Sequence, residues 1–188
     1  MKIAPLIRQL IEAIGENPDR EGLKETPRRV ATMFDEIFDG YKYKSEDVFN
    51  AFFSSESDDM VIVKNIDFDS FCEHHMVPFS GKIHIGYIPD PHTKKVVGLS
   101  KFVRLINIFA HRLQLQERLT SQIANAIFAN KELNPAGVMV VVEAQHLCMV
   151  MRGVKNYNSM TITSAVRGVF KENDQSREEF LMLINRNT

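Results

Sequence analysis

Gly81-Lys82-Ile83-His84-Ile85-Gly86-Tyr87-Ile88-Pro89 alternates two kinds of side chain. Ile83, Ile85 and Tyr87 are apolar, and Lys82, His84 and Gly86 between them are polar or small. Successive strand residues point to opposite faces, so this period of two predicts a strand with one face in a core. Upstream, Met60-Val61-Ile62-Val63 opens another strand that runs to about Phe71. Downstream, Asp90-Pro91-His92 is a turn. Pro135-Ala136-Gly137 introduces a β-branched strand from Val138 to Met151, and Met160 to Phe170 reads as one more.

Helical spacing surrounds these strands. Ile3, Leu6, Ile7, Leu10, Ile11 and Ile14 recur on one face, and Gly15 ends that helix. Residues 17–25 are a polar loop. Thr26-Pro27 reads as an N-cap followed by proline at the first helical position, and Val30, Met33, Phe34, Ile37 and Phe38 give the apolar stripe. Gly40 closes this second helix, and residues 41–59 read as a loop. Ser100 is placed as the cap of a helix carrying Phe102, Val103, Ile106, Phe109 and Ala110. Another helix runs from Gln116 to about Asn130 with Leu119, Ile123 and Ile127 inward. Ser176 and Glu179 form a capping box for the last helix. The order α-α, β-β, α-α, β-β, α predicts an α+β fold with an antiparallel sheet.

The chain has 188 residues, enough to bury a good core. Its 44% hydrophobic and 25% charged residues are those of an ordinary globular protein. A formal net charge of -1 gives no global pull toward nucleic acid or a membrane, so any anion must be held by a local cluster. The N-terminus is interrupted by Arg8 and is too short for a signal sequence, and no apolar run reaches spanning length. These features predict a soluble, cytoplasmic protein.

Both cysteines lie beside histidines, in Cys72-Glu73-His74-His75 and in His146-Leu147-Cys148. A divalent metal of zinc's kind is suited by thiolate and imidazole together, and iron or cobalt fit the same set. In a strand, residues i and i+2 share a face, so His146 and Cys148 are expected to look the same way. Three ligands from Cys72, His75, His146 and Cys148 make an open, catalytic site, and four make a closed, structural one. His74, beside a ligand position, is free for proton transfer. Buried free thiols are the plainer reading, but both cysteines having histidine neighbours argues for metal.

Two further groups carry chemistry. Ser100, Lys101 and Arg104 open a helix, where free N–H groups and the helix dipole favour an anion, and the two cations are expected to share a face. Arg152, at the end of the metal-bearing strand, adds to this cradle. Gln116-Glu117-Arg118 starts the next helix, and a carboxylate beside an amide can read a base edge, although first-turn acid is ordinary there.

With these residues in place the chain resembles the zinc-dependent (type IA) GTP cyclohydrolase I family. The matching stretches are Glu25-Thr26-Pro27-Arg28-Arg29, Cys72-Glu73-His74-His75, Gly98-Leu99-Ser100-Lys101, Gln116-Glu117-Arg118-Leu119-Thr120, His146-Leu147-Cys148-Met149-Val150-Met151-Arg152-Gly153 and Arg177-Glu178-Glu179-Phe180. They occur in family order over nearly the whole chain after the first helix. The resemblance implies a tunnelling fold, with helices packed on one face of the sheet. It implies an N-terminal helical segment over residues 1–44 and a catalytic domain over 45–188. It implies that Cys72, His75 and Cys148 bind zinc with one position open, and that His74 and His146 are acid–base groups. It places guanine on Gln116 and Glu117, and the triphosphate or ribose on Ser100, Lys101, Arg104 and Arg152. Arg29 is expected from a neighbouring subunit of a homodecamer of two pentamers. Thr32 departs from the lysine that many bacterial members carry, at the position of one expected phosphate contact. The implied activity opens the guanine imidazole ring of GTP at C8, releases formate and yields 7,8-dihydroneopterin triphosphate, the first step toward folate and other pterins. The alternatives are a nitrile reductase of queuosine biosynthesis, with a cysteine nucleophile and NADPH, and a non-enzymatic module with a closed Cys72, His75, His146, Cys148 site.

Overall fold

The computed structural model describes residues 3–186. Met1, Lys2, Asn187 and Thr188, the outer limits of the two expected segments, lie outside the described residues. The chain divides into two units, Met1–Asp39 and Gly40–Thr188. The first holds α1 (Ile3–Ala13) and α2 (Thr26–Ile37). Gly15 ends the first helical run in the left-handed region at φ 89°. Glu25, not Thr26, holds the N-cap of α2, and the proline falls in its first turn.

The second unit is built on a five-stranded sheet in the order β5-β2-β3-β6-β7. β2 (Val61–Cys72) and β3 (Val77–Ile88) form an antiparallel pair from Val61 opposite Tyr87 to Cys72 opposite Val77. The alternating stretch around Ile83 is therefore a strand, and it is the middle one. β6 (Gly137–His146) pairs antiparallel with β3, and β7 (Thr161–Gly168) with β6. β5 (Leu113–Gln114) runs parallel to the end of β2, so the sheet is mixed and not wholly antiparallel. The expected loop at residues 41–59 holds a short strand, β1 (Phe52–Ser54), paired with β4 (Lys95–Val97).

Ile83, Ile85, Tyr87, Val138, Val140 and Val142 are fully buried under α3 (Ser100–Ala110) and α4 (Gln116–Phe128). From those helices come Phe102, Leu105, Ile106, Leu119, Ile123 and Ile127, also at 0% exposure. Each such side chain contributes roughly 1.5–3 kcal/mol on burial, which fixes the register of the strands that carry them. Helices are not confined to this face. Phe170 of α6 (Val169–Glu172) and Phe180 of α7 (Asp174–Asn185) pack with Met139 and Val141 on the opposite side. A Cβ added at Gly86 would lie 2.5 Å from the Phe180 ring, so the missing side chain makes room for that helix. Asn173, not Ser176, caps α7, accepting from the Ser176 N–H.

One strand stops short. β6 was expected to reach Met151 but ends at His146, and Leu147–Val150 form the single helical turn α5. The next pair of the ladder would oppose Leu147 to Pro78, which has no N–H to donate. His146 and Cys148 therefore do not share a strand face, and their nearness has a different origin.

Candidate metal centre and substrate site

Cys72 is the last residue of β2 and is 3% exposed. The chain then bends sharply: the Met76 N–H donates to the Cys72 carbonyl at 2.8 Å, and Met76 takes a positive φ of 54°. Cys148 comes to Cys72 from the other side of β3, carried by α5 off the end of β6. His146, the last residue of β6, completes the group. The donor atoms of Cys72, His146 and Cys148 all lie within 4.8 Å of one another. Burial, and then the neighbouring Cys72 thiol, push the Cys148 thiol above its ordinary range. Two thiols and an imidazole this close are a donor set suited to zinc, since a cation relieves the crowding that holds the proton on Cys148.

The His146 ring is locked. It stacks on Phe79, its cross-strand partner on β3, with centroids 4.5 Å apart and planes 4° apart. One ring nitrogen, Nε2, lies 2.8 Å from Gln116 Oε1. Burial lowers its pKa below the ordinary value, with Glu117 pulling the other way. His74 and His75 are both exposed. His74 Nδ1 lies 3.7 Å from Cys72 Sγ. His75 is turned to Arg152, whose Nη1 donates to His75 Nε2 at 2.6 Å. The histidine that the structure places with the two thiols is thus His146, and His75 lies beside an arginine expected to meet phosphate.

The expected anion cradle is arranged differently from its sequence reading. Ser100 is the first residue of α3, Leu99 holds the N-cap, and no side chain caps the helix. The first turn already uses two of its N–H groups, since Lys101 N donates to Gly98 O and Phe102 N to Leu99 O. Lys101 is buried, with Nζ donating to Asn50 Oδ1, whereas Arg104 is exposed. The two cations do not share an environment, because the helix turns Lys101 inward and leaves Arg104 in solvent.

The pair at the start of α4 also separates. Glu117 is exposed, but Gln116 is 1% exposed and its amide is engaged. Gln116 Nε2 donates to Val142 O at 3.0 Å and Thr161 O at 2.9 Å. It has no free donor for a base edge. Arg29 lies on α2 in the N-terminal unit, as does Thr32, whose hydroxyl donates to Arg28 O.

Sequence reasoning missed Phe79, Thr120, Thr163 and the Glu73–Arg118 pair. Phe79 was accessible through the register, since an aromatic residue opposite a strand-end histidine signals stacking. The others meet across elements far apart in the chain, and no local pattern marks them.

Fold and centre together define an α+β protein with a thiol–imidazole group of the kind that holds a divalent metal. A family model for GTP cyclohydrolase I matches residues 3–185. A GTP cyclohydrolase 1 of Desulforamulus reducens is 56% identical over 183 residues, covering 97% of this chain and 96% of that one. The GTP cyclohydrolase 1 of Homo sapiens is 53% identical, covering 97% of this chain and 71% of its own length. A crystal structure of an archaeosine synthase QueF-Like in the apo form aligns with TM-score 0.46 and 20% identity, over 60% of this chain and 97% of that one. The chain belongs to the GTP cyclohydrolase I family, and its activity is that of the family. No described helix is long and apolar enough to cross a membrane.

Proposed function

We propose that this chain opens the guanine imidazole ring of GTP by hydrolysis at C8, releases C8 as formate and rearranges the remainder to 7,8-dihydroneopterin triphosphate. The observation that carries the reading is the Cys72, His146, Cys148 group at the sheet end. Cys72, Cys148 and His75 hold zinc in this proposal, and His146 stands beside them as a proton group. Zinc supplies Lewis acidity there, making water a nucleophile near neutral pH. The protein's own residues do the rest. Glu117, exposed at the start of α4, accepts from the paired N–H donors on guanine. Arg104 and Arg152 meet the triphosphate, with Ser100 beside them. His74 and His146 pass protons, first to the imidazole nitrogen, which makes C8 more electrophilic, and then during rearrangement of the ribose.

A second ligand set has a specific observation in its favour. His146, not His75, lies within 4.8 Å of the thiol donors. In that reading Cys72, His146 and Cys148 hold the metal, and His75 and His74 remain for protons. Zinc content of His75→Ala and His146→Ala separates the two.

The fold we assign is the tunnelling fold, in which sheets of several subunits join. Among the described residues β7 pairs only with β6, and β2 above its last two residues pairs only with β3, so both sheet edges offer backbone for another copy. A decamer of two pentamers, with Arg29 reaching a neighbour's site, follows from the same family reading. Mixing Cys148→Ser chains with Arg29→Ala chains and reassembling them rebuilds activity if the site is shared.

The direct test is incubation of the zinc-loaded protein with GTP, following formate and, after oxidation, a fluorescent pterin. Both products are expected. Formation of neither overturns the proposal, and reduction of a nitrile by NADPH supports the reductase instead.

A further inference from the structure

We propose that Gln116 is a positioning residue: it fixes His146 as the tautomer with hydrogen on Nε2 and so makes Nδ1 the nitrogen that works. The inference rests on the reading of His146 as a group of the active centre, and it reassigns Gln116 away from the guanine.

The orientation of the Gln116 amide is settled by its partners. One end meets two main-chain carbonyls, Val142 O at 3.0 Å and Thr161 O at 2.9 Å. Carbonyl oxygens only accept, so that end is the NH2 group, and a flipped amide would set oxygen against oxygen twice. The other end is then the carbonyl oxygen, and it faces His146 Nε2 at 2.8 Å. An amide oxygen cannot donate. His146 Nε2 must carry the hydrogen, which leaves the lone pair of the neutral ring on Nδ1.

The surrounding hydroxyls hold the same polarity. Thr120 Oγ1 donates to Gln116 O at 2.7 Å, which uses its one hydrogen. Thr163 Oγ1, 2.7 Å from Thr120 Oγ1, must therefore donate to it. Thr163 Oγ1 is left to accept from Gln116 Nε2 at 3.2 Å, sharing one of the two amide hydrogens with a main-chain carbonyl. Donors run one way round a closed ring, from the Gln116 amide through Thr163 and Thr120 to the Gln116 main chain. Thr120 and Gln116 are each 1% exposed, so water does not compete. The ring joins α4 to β6 and β7, and stacking on Phe79 removes the freedom of the imidazole to turn away. Glu117, one residue on, is exposed and remains the base-reading group.

The first test needs no GTP. Nitrogen-15 spectra of histidine-labelled, zinc-loaded protein are recorded in the solid state, with His146 assigned by comparison with His146→Asn. The expected wild-type spectrum shows His146 with hydrogen on Nε2, and Gln116→Met, which keeps length but removes both polar ends, shows the other tautomer as well. Hydrogen on Nδ1 in the wild type overturns the proposal, whether or not the variant folds. The second test is kinetic. Gln116→Met is expected to lower kcat by roughly 10- to 100-fold with KM for GTP little changed, as loss of an oriented proton group does. A raised KM with kcat retained would mean that Gln116 holds the base, and unchanged kcat and KM would mean that it does neither; both overturn the proposal. A wild-type protein inert toward GTP would sink the proposed function and leave the tautomer to be decided by the spectra.

Discussion

Arg118 and Glu73 meet fork to fork, Nη1 to Oε2 at 2.7 Å and Nη2 to Oε1 at 2.8 Å. Glu73 sits between Cys72 and His74, and Arg118 follows Glu117. One pair of side chains thus ties the turn after Cys72 to the start of α4. The guanidinium holds the Glu73 carboxyl below its ordinary range.

Cutting that tie should cost activity more than stability. The pair is partly exposed, with side chains 41% and 32% accessible, so its screened attraction contributes little to folding. Its geometry matters more, because a small misplacement of reacting groups costs rate steeply. Glu73→Gln and Arg118→Lys are each expected to lower kcat/KM about tenfold with Tm almost unchanged. The exchanged double variant, Glu73→Arg with Arg118→Glu, should recover part of the loss. Equal losses in kcat/KM from the exchanged and single variants would show that the residues act separately.

Metal content tests the centre itself. One zinc per chain is expected for a site of three protein ligands and an open position. Cys72→Ser and Cys148→Ser should lose zinc and ring opening together. His75→Ala should lose zinc while His146→Ala keeps it and loses rate. The reverse result would move the metal onto His146, the histidine that lies with the thiols. Chelation of the wild type should abolish formate release, and added zinc should restore it.

What could be read from the sequence was whatever a short window contains. The alternation from Gly81 to Pro89 placed β3, because a period of two is local to the strand. Cys72 with His75, and His146 with Cys148, pointed to a metal group for the same reason. Helix ends were less legible: Thr26, Ser100 and Ser176 are all good capping types, yet each lies one or more residues inside its helix. The cap positions fall instead on Glu25, Leu99 and Asn173, and of these Asn173 alone supplies a side-chain acceptor, to the Ser176 N–H. The ladder of β6 ends opposite Phe79, one residue short of Pro78 on β3, and no reading of residues 138–151 reveals that partner. Gln116 was read with Glu117 as one unit because they are adjacent. Their burial differs completely, and burial is set by β6 and β7.

His84 predicts a pH dependence of stability. It is 5% exposed on the middle strand, and its Nδ1 accepts from the Asn65 N–H at the bulge in β2. Burial is the main cause lowering its pKa from 6.5; Glu143 raises it, and Lys64 and Lys82 lower it further. The sign follows from proton counting. Between the lowered folded value and the ordinary unfolded one, the unfolded chain binds more protons, so stability falls as pH drops through this window. His146 is lowered by burial too and adds to the same slope. Urea unfolding from pH 7.5 to 5.5 should therefore show a falling midpoint. His84→Leu should flatten part of that fall, while costing about 1 kcal/mol at pH 7.5 for the acceptor lost by Asn65. A wild-type midpoint that rises toward pH 5.5 would contradict the sign.

Lys101 and Arg104 should respond differently, although they open the same helix. Arg104 is exposed, and it is the cation of this pair proposed to meet the triphosphate. A charge-assisted contact to phosphate contributes roughly 1.5–3 kcal/mol. Arg104→Ala is therefore expected to weaken GTP binding by roughly 10- to 100-fold, with folding unaffected. Lys101 is 9% exposed and donates to Asn50 Oδ1, so its ammonium already has a partner from the segment before β1. Lys101→Met should leave Asn50 without that donor and loosen residues 48–50 against α3, where Phe49 stacks edge-on with Phe102. Its signature is a lower Tm with a smaller loss of GTP affinity. Titration with GTP and with guanosine separates the two roles. Arg104→Ala should bring GTP affinity toward that of guanosine, whereas Lys101→Met should keep most of the preference for the triphosphate. An Arg104→Ala protein that binds GTP as tightly as the wild type would remove Arg104 from the anion site and leave Arg152, beside His75, as the candidate.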